Sequence, residues 1–210
     1  MANQSGSVYG LTLVCPIIDD DRAVPSHDLQ IRYHLSKLPL GTDSPFAIAP
    51  GTHLIRLVVL DDVIYVGMPS CEEHLNSKYL VVECNCDGDR DSYLTGLARH
   101  IPQELDAIWN HCAGYPGCKD LPAFLDYMKK CQLDTTFFFA PVNDKSVTQT
   151  LAALQTQRAV AAFIATHQRC TDEHLLQDFQ VFVERLRKDP PPRAASHWFS
   201  RTMNTGGRNE

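Results

Sequence analysis

The fold is decided by two stretches of sequence, THLIRLVVLDD at residues 52–62 and KYLVVECNCDGDRDSYLTGLARHIPQELDAIWNHCAGYPG at residues 78–117. The first stretch predicts a strand at 52–60 that is apolar on both faces, and such a strand needs a packed layer on each side. The second stretch predicts a strand at 78–86 and, after a turn at Gly88, a helix at 91–112 that restarts at Pro102.

Similar patterns on either side complete the order of elements as β-α-β-β-α-α-β-α-α. We predict further strands at 8–17 and 135–141, and helices at 26–38, 121–131, 146–168 and 172–188. A strand hairpin between two helical crossovers is the ferredoxin-like split βαβ arrangement. We therefore predict one α+β domain at 1–188 with a four-stranded antiparallel sheet, helices on one face and extra C-terminal helices, followed by a flexible tail at 189–210.

The second face of this sheet is expected to be hidden from water, because the run Phe137, Phe138 and Phe139 places large apolar side chains on both faces of the last strand. Ferredoxin-like sheets with such a face commonly pair across a dimer and enclose a cavity. We therefore expect a homodimer of the dimeric α+β-barrel kind, with a small-molecule substrate inside it.

The bulk composition excludes several classes of protein. A net charge of −6, with Lys and Arg scattered along the chain, argues against a nucleic-acid partner. The N-terminus lacks the charged start of a signal peptide, and no apolar run is long enough for a membrane span, so we expect a cytoplasmic protein and no membrane partner. Its eight cysteines would then be reduced thiols.

Arg56 and Glu83 are the first candidate site residues. A guanidinium in an apolar strand needs an anion or a cavity, so Arg56 either anchors a substrate carboxylate, a cofactor propionate or a peroxide, or forms an internal salt bridge with Glu83. Glu83 is followed by Asn85 and Asp87 on one strand face. These side chains either line the cavity, where a carboxylate acts as general acid or base, or meet a dimer partner or water.

Histidines and strand ends supply the remaining candidates. His53 begins a strand, where it borders a cavity or serves as a structural histidine. Asp87 precedes Gly88 in what is either a functional strand end or an ordinary turn. His167 is either an axial haem ligand or a histidine that interacts with the negative end of a helix dipole.

The segments GTHLIRLVVLDD at 51–62 and LVVECNCDGDRDSYL at 80–94, with the order of elements, resemble peroxidase-like bacterial proteins of the dimeric α+β-barrel superfamily. That superfamily includes haem enzymes, such as dye-decolourising peroxidases and chlorite dismutases, and cofactor-free monooxygenases that act on aromatic polyketides. Dye-decolourising peroxidases carry a Gly-x-x-Asp-Gly motif and a later arginine. Here Asp87 and Gly88 match its end, Cys84 stands where the first glycine would be, and Arg90 follows early.

The resemblance implies an oxidoreductase that acts on a small apolar or aromatic substrate, with haem as a candidate cofactor. Arg56 would orient an anionic group, Asp87 or Glu83 would move a proton with His53 nearby, and Arg90 would contact the cofactor. No motif of the resemblance assigns the proximal histidine, and His167 is a candidate for that role from its place on a predicted helix. The alternatives are a cofactor-free monooxygenase or cyclase, and a non-catalytic dimeric binding protein. We predict no metal site, because the spacing around Cys84, Cys86, His111, Cys112 and Cys118 suits zinc poorly.

Overall fold

The computed structural model describes residues 3–63, 67 and 74–188, and these residues form a mixed α+β protein with an antiparallel sheet. The predicted tail at 189–210 lies outside the described residues. The strands within the described residues are β1 (Gln4–Ser5), β2 (Val8–Pro16), β3 (Thr52–Leu60), β4 (Tyr79–Asp87) and β5 (Gln132–Leu133).

The sheet is built around β2 and β4, which pair antiparallel along their full lengths. On the far side of β4, β3 pairs antiparallel with it and sets Arg56 opposite Glu83. On the far side of β2, β1 and β5 pair with different parts of the same edge, again antiparallel. The predicted strands at 8–17, 52–60 and 78–86 are thus confirmed within one residue of their bounds.

The predicted strand at 135–141 is wrong, because the chain leaves the sheet after the two residues of β5. Leu133 pairs with Thr12, so a longer strand would continue toward Tyr9 and Val8. That edge is already occupied by the short strand β1, which pairs with both residues. The sequence pattern missed β1, and the three phenylalanines after β5 consequently lie outside the sheet.

Seven α-helices lie within the described residues, together with a 3-10 turn at Gly41–Asp43. The predicted helix at 91–112 is two helices that break at Ile101, where Pro102 starts the second. The segment between the first helix and β3, residues 39–51, contains both the 3-10 turn and a short helix. The helices are α1 (His27–Lys37), α2 (Pro45–Ile48), α3 (Arg90–His100), α4 (Pro102–Trp109), α5 (Leu121–Cys131), α6 (Val147–Thr166) and α7 (Asp172–Lys188).

Local sequence explains where several helices begin. The Asp89 carboxylate accepts a hydrogen bond from the Ser92 N–H at the start of α3, and the Asp120 carboxylate caps α5 in the same way. Ser146 and Gln149 form a reciprocal capping box at the start of α6. Ser26 makes no such cap, because its hydroxyl donates to the Asp28 carboxylate instead.

The core lies between one face of the sheet and helices α1 to α5. We call this sheet face the covered face. Its row on β4 is Leu80, Val82, Cys84 and Cys86, all at most 3% exposed. Burial of large apolar side chains here, each contributing about 1.5–3 kcal/mol, is the main source of stability.

We call the opposite sheet face the open face, because Leu54, Val58 and Leu60 on β3 are 59%, 45% and 38% exposed. The described part of the chain therefore supplies a packed layer on one face of this strand, and the second layer that we expect from a dimer partner stays a prediction. Helices α6 and α7 leave these three side chains exposed, and neither helix has a buried residue. Beyond β5, the side chains of Phe137 and Phe139 are 82% and 69% exposed.

Candidate functional site

The open face carries an ion pair at its centre. Arg56 and Glu83 are direct cross-strand neighbours, and the Arg56 guanidinium donates a hydrogen bond to the Glu83 carboxylate. Thr12 lies on the other side of Glu83, and the next position beyond Thr12 is Leu133 of β5. The Arg56 and Glu83 side chains are 65% and 46% exposed, so the pair lies on the open face and not in the core.

Along the strands, the row on each side of this ion pair carries apolar side chains of the open face. Register places Val58 beside Val81 and Val81 beside Val14, one row from the ion pair. In the next row on the other side, Leu54 pairs with Asn85, and Asn85 pairs with Gly10. A side chain at Gly10 would meet the ring of Phe138, since an added Cβ would lie 2.8 Å from the Phe138 Cδ2 atom. Phe138 therefore covers one corner of the open face.

His53 and Asp87 form a second polar pair at the end of this sheet. A β-bulge between Thr52 and Leu54 displaces His53 from the regular pairing, and its Nε2 atom lies 2.7 Å from Asp87 Oδ1. Asp87 Oδ2 accepts a hydrogen bond of 3.0 Å from the N–H of Val147, the first residue of α6. A carboxylate is favoured at this position by the partial positive charge of a helix N-terminus.

A glycine makes this arrangement possible. Gly51 has a φ of +87°, and a Cβ there would lie 3.1 Å from the Cβ atom of Asp87. Its carbonyl also accepts a 2.8 Å hydrogen bond from the Asp87 N–H. The Asp87 side chain is thereby fixed between the start of β3 and the start of α6.

His53 lines a pocket of about 270 Å³ beside these residues. The remaining lining is small, apolar or hydroxyl-bearing. A histidine oriented by a carboxylate can exchange a proton through its other ring nitrogen, here Nδ1, so the pair has the layout of a general acid–base group. The lining residues are Ala47, Ala49, Pro50, Gly51, Thr52, His53, Val147, Thr148, Thr150 and Leu151.

Arg90 lies at the start of α3 and does not join Asp87 in one site. Its Nε atom donates to the Asp91 carboxylate, and its Nη1 atom donates a 2.8 Å hydrogen bond to the Gln132 side chain. The hydrogen bond to Asp91 raises the pKa of Arg90 above its ordinary value. Arg90 thus connects α3 to β5.

His167 lies at the C-terminus of α6, on another part of the chain. Its Nδ1 atom is 2.8 Å from the Phe163 carbonyl oxygen, and its Nε2 atom is 3.2 Å from Asp178 of α7. Its ring stacks on Phe163 with the ring centroids 4.0 Å apart. Both ring nitrogens are engaged, so an iron could bind Nε2 only after Asp178 moved away.

Two further polar clusters were not predicted from the sequence. His27 and His111 meet Nδ1 to Nδ1 at 2.9 Å between α1 and the end of α4. Burial, followed by the charges of His27 and His34, lowers the pKa of His111. Because 84 residues separate His27 from His111, no local spacing in the sequence could have identified the pair.

The second cluster is a group of buried thiols under the sheet. Hydrogen bonding with the Cys112 thiol, together with burial, raises the pKa of Cys15 to about 12. Hydrogen bonding with Cys15 raises the pKa of Cys131 further above its ordinary range. Trp109 Nε1 and the Tyr127 hydroxyl are buried beside these thiols and meet no nitrogen or oxygen partner within the described residues.

No group of three or more His, Cys, Asp or Glu side chains within 3–63, 67 and 74–188 is arranged to hold a metal ion. In the same residues, no helix is both long and apolar enough to cross a membrane. Comparison of the chain with known proteins finds no matching family model, no matching curated protein and no matching solved structure. The class defined by the fold is therefore a mixed α+β protein with an antiparallel sheet.

Proposed function

We propose that this chain is a small-molecule-binding protein of the ferredoxin-like type, and that it binds a small, largely apolar anion on the open face. One observation carries the proposal: an exposed apolar sheet face surrounds an exposed Arg56–Glu83 ion pair. Monomeric proteins rarely expose a contiguous apolar surface of this kind unless it contacts a partner or ligand.

The strand order supports the ferredoxin-like arrangement. From one edge, the strands run β5, β2, β4 and β3, with β2 joined to β3 through α1 and β4 joined to β5 through α3 to α5. Every neighbouring pair is antiparallel. A split βαβ unit with a very short last strand has this order.

A second copy of the chain is the proposed cover for the open face. In a twofold dimer the same surface meets itself, so Leu54 and Val58 would contact equivalent apolar rows of the other copy. Burial of that apolar area would stabilise the dimer by about 25 cal/mol for each Å² removed from water. The proposed assembly is a homodimer of the α+β-barrel kind with the ion pair in its interior.

The proposed ligand is a small aromatic or aliphatic carboxylate. Arg56 presents a planar guanidinium that can take a carboxylate in two parallel hydrogen bonds, replacing Glu83 as its partner. Leu54 and Val58 would contact the apolar part of the ligand. Between two sheets the lower water content strengthens the attraction between the two charges.

An oxidoreductase activity, peroxidase-like or monooxygenase-like, is a second proposed function, and the His53–Asp87 pair favours it over simple binding. Its carboxylate-oriented histidine offers a proton-transfer group. Haem remains a candidate cofactor that would require His167 to exchange Asp178 for the iron.

The binding proposal is tested by titrating the purified protein with a panel of aromatic and aliphatic carboxylates while thermal unfolding is followed. We expect at least one carboxylate to raise Tm in a concentration-dependent way. Arg56→Met should abolish that shift. Arg32→Met is the matched control, because Arg32 forms an ion pair with Asp61, 2.5 Å away, outside the open face. An unchanged response in Arg56→Met, or no response to the whole panel, would contradict the proposal.

The catalytic proposal is tested separately by dye oxidation with peroxide and by a visible absorption spectrum with one equivalent of haemin. A haem oxidoreductase predicts a saturable Soret band that shifts in His167→Ala, and turnover that falls in His53→Gln. If the protein shows neither a Soret band nor turnover, the catalytic proposal fails and the binding proposal is the one that stands.

A further inference from the structure

The helices α6 and α7 form a hairpin that the domain does not cover. No residue of either helix is buried, although together they contain 37 residues (20 and 17). The attachment to the domain described above lies at the first turn of α6, through Val147 and the pocket beside Asp87. Most of the stability of helices in proteins comes from tertiary packing of an apolar face, and the described part of the chain buries no residue of this hairpin.

Within the hairpin, one apolar stripe of α7 packs against α6. Phe163 of α6 stacks on Phe182 at 4.7 Å and meets Phe179 edge-on at 5.9 Å between ring centroids. Beside these rings runs an open apolar groove of about 760 Å³. Leu176 and Ile164 border the groove and are 60% and 54% exposed.

A second stripe on α7 lies beside this internal contact, and its member Leu176 borders the same groove as Phe163 and Phe179. It consists of Glu173, Leu176, Gln180, Val183 and Arg187, whose spacings of 3, 4, 3 and 4 residues are those of a coiled-coil seam. Both ends of the stripe are exposed and oppositely charged. The whole helix repeats this polarity, with Asp172 and Glu173 in its first turn and basic residues in its last turn.

The charges of two copies of this stripe are complementary only when the two helices are antiparallel. Glu173 and Arg187 each lie seven residues from Gln180. A twofold axis at Gln180 would therefore place Glu173 of each copy opposite Arg187 of the other, and Leu176 within one residue of the level of Val183. A parallel arrangement would place like charges together, which disfavours it.

We propose that the α6–α7 hairpin is a self-association site at which α7 pairs antiparallel with α7 of a second copy, giving a four-helix bundle with Gln180 at its centre. A polar residue at the centre of a helical seam sets its register, and the two Glu173–Arg187 pairs set its direction. This interface is separate from the open face of the sheet.

The experiment is sedimentation velocity of the full chain and of charge-reversal variants. Glu173→Arg and Arg187→Glu should each halve the mass of the assembly and raise Kd about tenfold or more, because each sets like charges opposite one another twice. An equimolar mixture of the two variants should recover association, since every pair is then again of opposite charge. Unchanged masses, or a mixture that stays dissociated, would overturn the proposal.

Two further variants separate this result from other causes. Arg185→Glu is the matched control, because it makes the same charge change on α7 outside the stripe and should leave the mass unchanged. Val58→Glu disrupts the open face of the sheet, so its effect reports on the proposed sheet dimer and not on the hairpin. If Glu173→Arg regains association after deletion of residues 189–210, association does not depend on the Glu173–Arg187 pairs, and the proposed pairing of α7 with α7 fails.

Discussion

The covered and open faces of the sheet are formed by the same three strands but have opposite surroundings. On β4, Leu80, Val82, Cys84 and Cys86 are at most 3% exposed beneath the helices. On β3, Leu54 and Val58 face outward and are 59% and 45% exposed, yet they are as apolar as the covered row. For β3, composition alone therefore does not distinguish the two faces, and the layer packed against each face does.

The difference assigns different roles to the two surfaces. The covered face contributes folding energy and contains thiols and a tyrosine whose pKa values burial and hydrogen bonding raise. The open face has an exposed ion pair and apolar rows that contribute little to the isolated chain. Surface of this second kind gains its energy on binding, which is the physical basis of the proposed function.

The largest expected effect is in cysteine reactivity. Cys170 is exposed, whereas Cys84 and Cys86 are buried on the covered face. In a Cys71→Ser background, chosen because Cys71 lies outside the described residues, we expect Cys170 to alkylate first. The buried thiols should react slower by on the order of 10³-fold or more, since they must await opening of the domain. Mass spectrometry of timed samples measures this, and fast labelling of Cys84 would contradict the covered face.

Much of this architecture follows from the sequence because burial patterns are local. The pattern along 78–86 predicted β4 within one residue of its bounds, and the predicted start of a helix at residue 146 is confirmed by the cap at Ser146. The missing part is non-local: β1 displaces the last strand only because of how the chain folds back on β2. The Arg56–Glu83 contact was one of two alternatives from the sequence, and the structure provides the register that makes it.

The site residues illustrate the same limit. The pairing of His53 with Asp87 depends on a β-bulge and on the position of α6, neither of which has a signal in the sequence. His27 and His111 are brought together by helix packing alone. Candidate residue types can therefore be identified from a chain, whereas their partners depend on tertiary structure.

The second largest effect is expected on the free energy of unfolding, when one leucine on each sheet face is truncated. Leu80→Ala, at a fully buried position, should lower the free energy of unfolding by about 3 kcal/mol through lost contacts and a cavity. Leu54→Ala should cost less than about 1 kcal/mol in dilute protein, because its side chain is 59% exposed. Urea unfolding measures both. A cost for Leu54→Ala that grows with protein concentration would show that a second copy covers the open face.

The helix layer on the covered side should weaken in acid. The pKa of His111 is lowered by burial and then by His27 and His34, so the unfolded chain binds more protons than the folded chain near pH 6. Stability should therefore be full above about pH 7 and fall as pH drops below about 6.5, the ordinary histidine pKa.

Replacing its neighbour tests the cause of this acid dependence. His27→Asn should reduce the loss of stability between about pH 7.5 and pH 5.5, since protonated His111 would then face only the charge of His34 and no longer that of His27 as well. His100→Asn is the control, because the His100 ring is exposed and contacts the Gly96 carbonyl of its own helix. Equal pH profiles for the wild type and His27→Asn would exclude this pair as the cause.

The smallest effect is expected for the coupling energy of the ion pair on the open face. The size of this energy indicates whether a second copy covers that face. A double-mutant cycle of Arg56→Met and Glu83→Gln in dilute protein should give a coupling energy of about 0.2–1 kcal/mol, as for other exposed pairs. If a second copy buries the face, removing either partner alone leaves an unpaired charge away from water, and the single variants should each cost about 3 kcal/mol or more. Repeating the cycle at rising protein concentration therefore separates the two states. A coupling that stays small while the protein is dimeric would place the dimer contact elsewhere, and the α6–α7 hairpin would then be the surface that holds the two copies together.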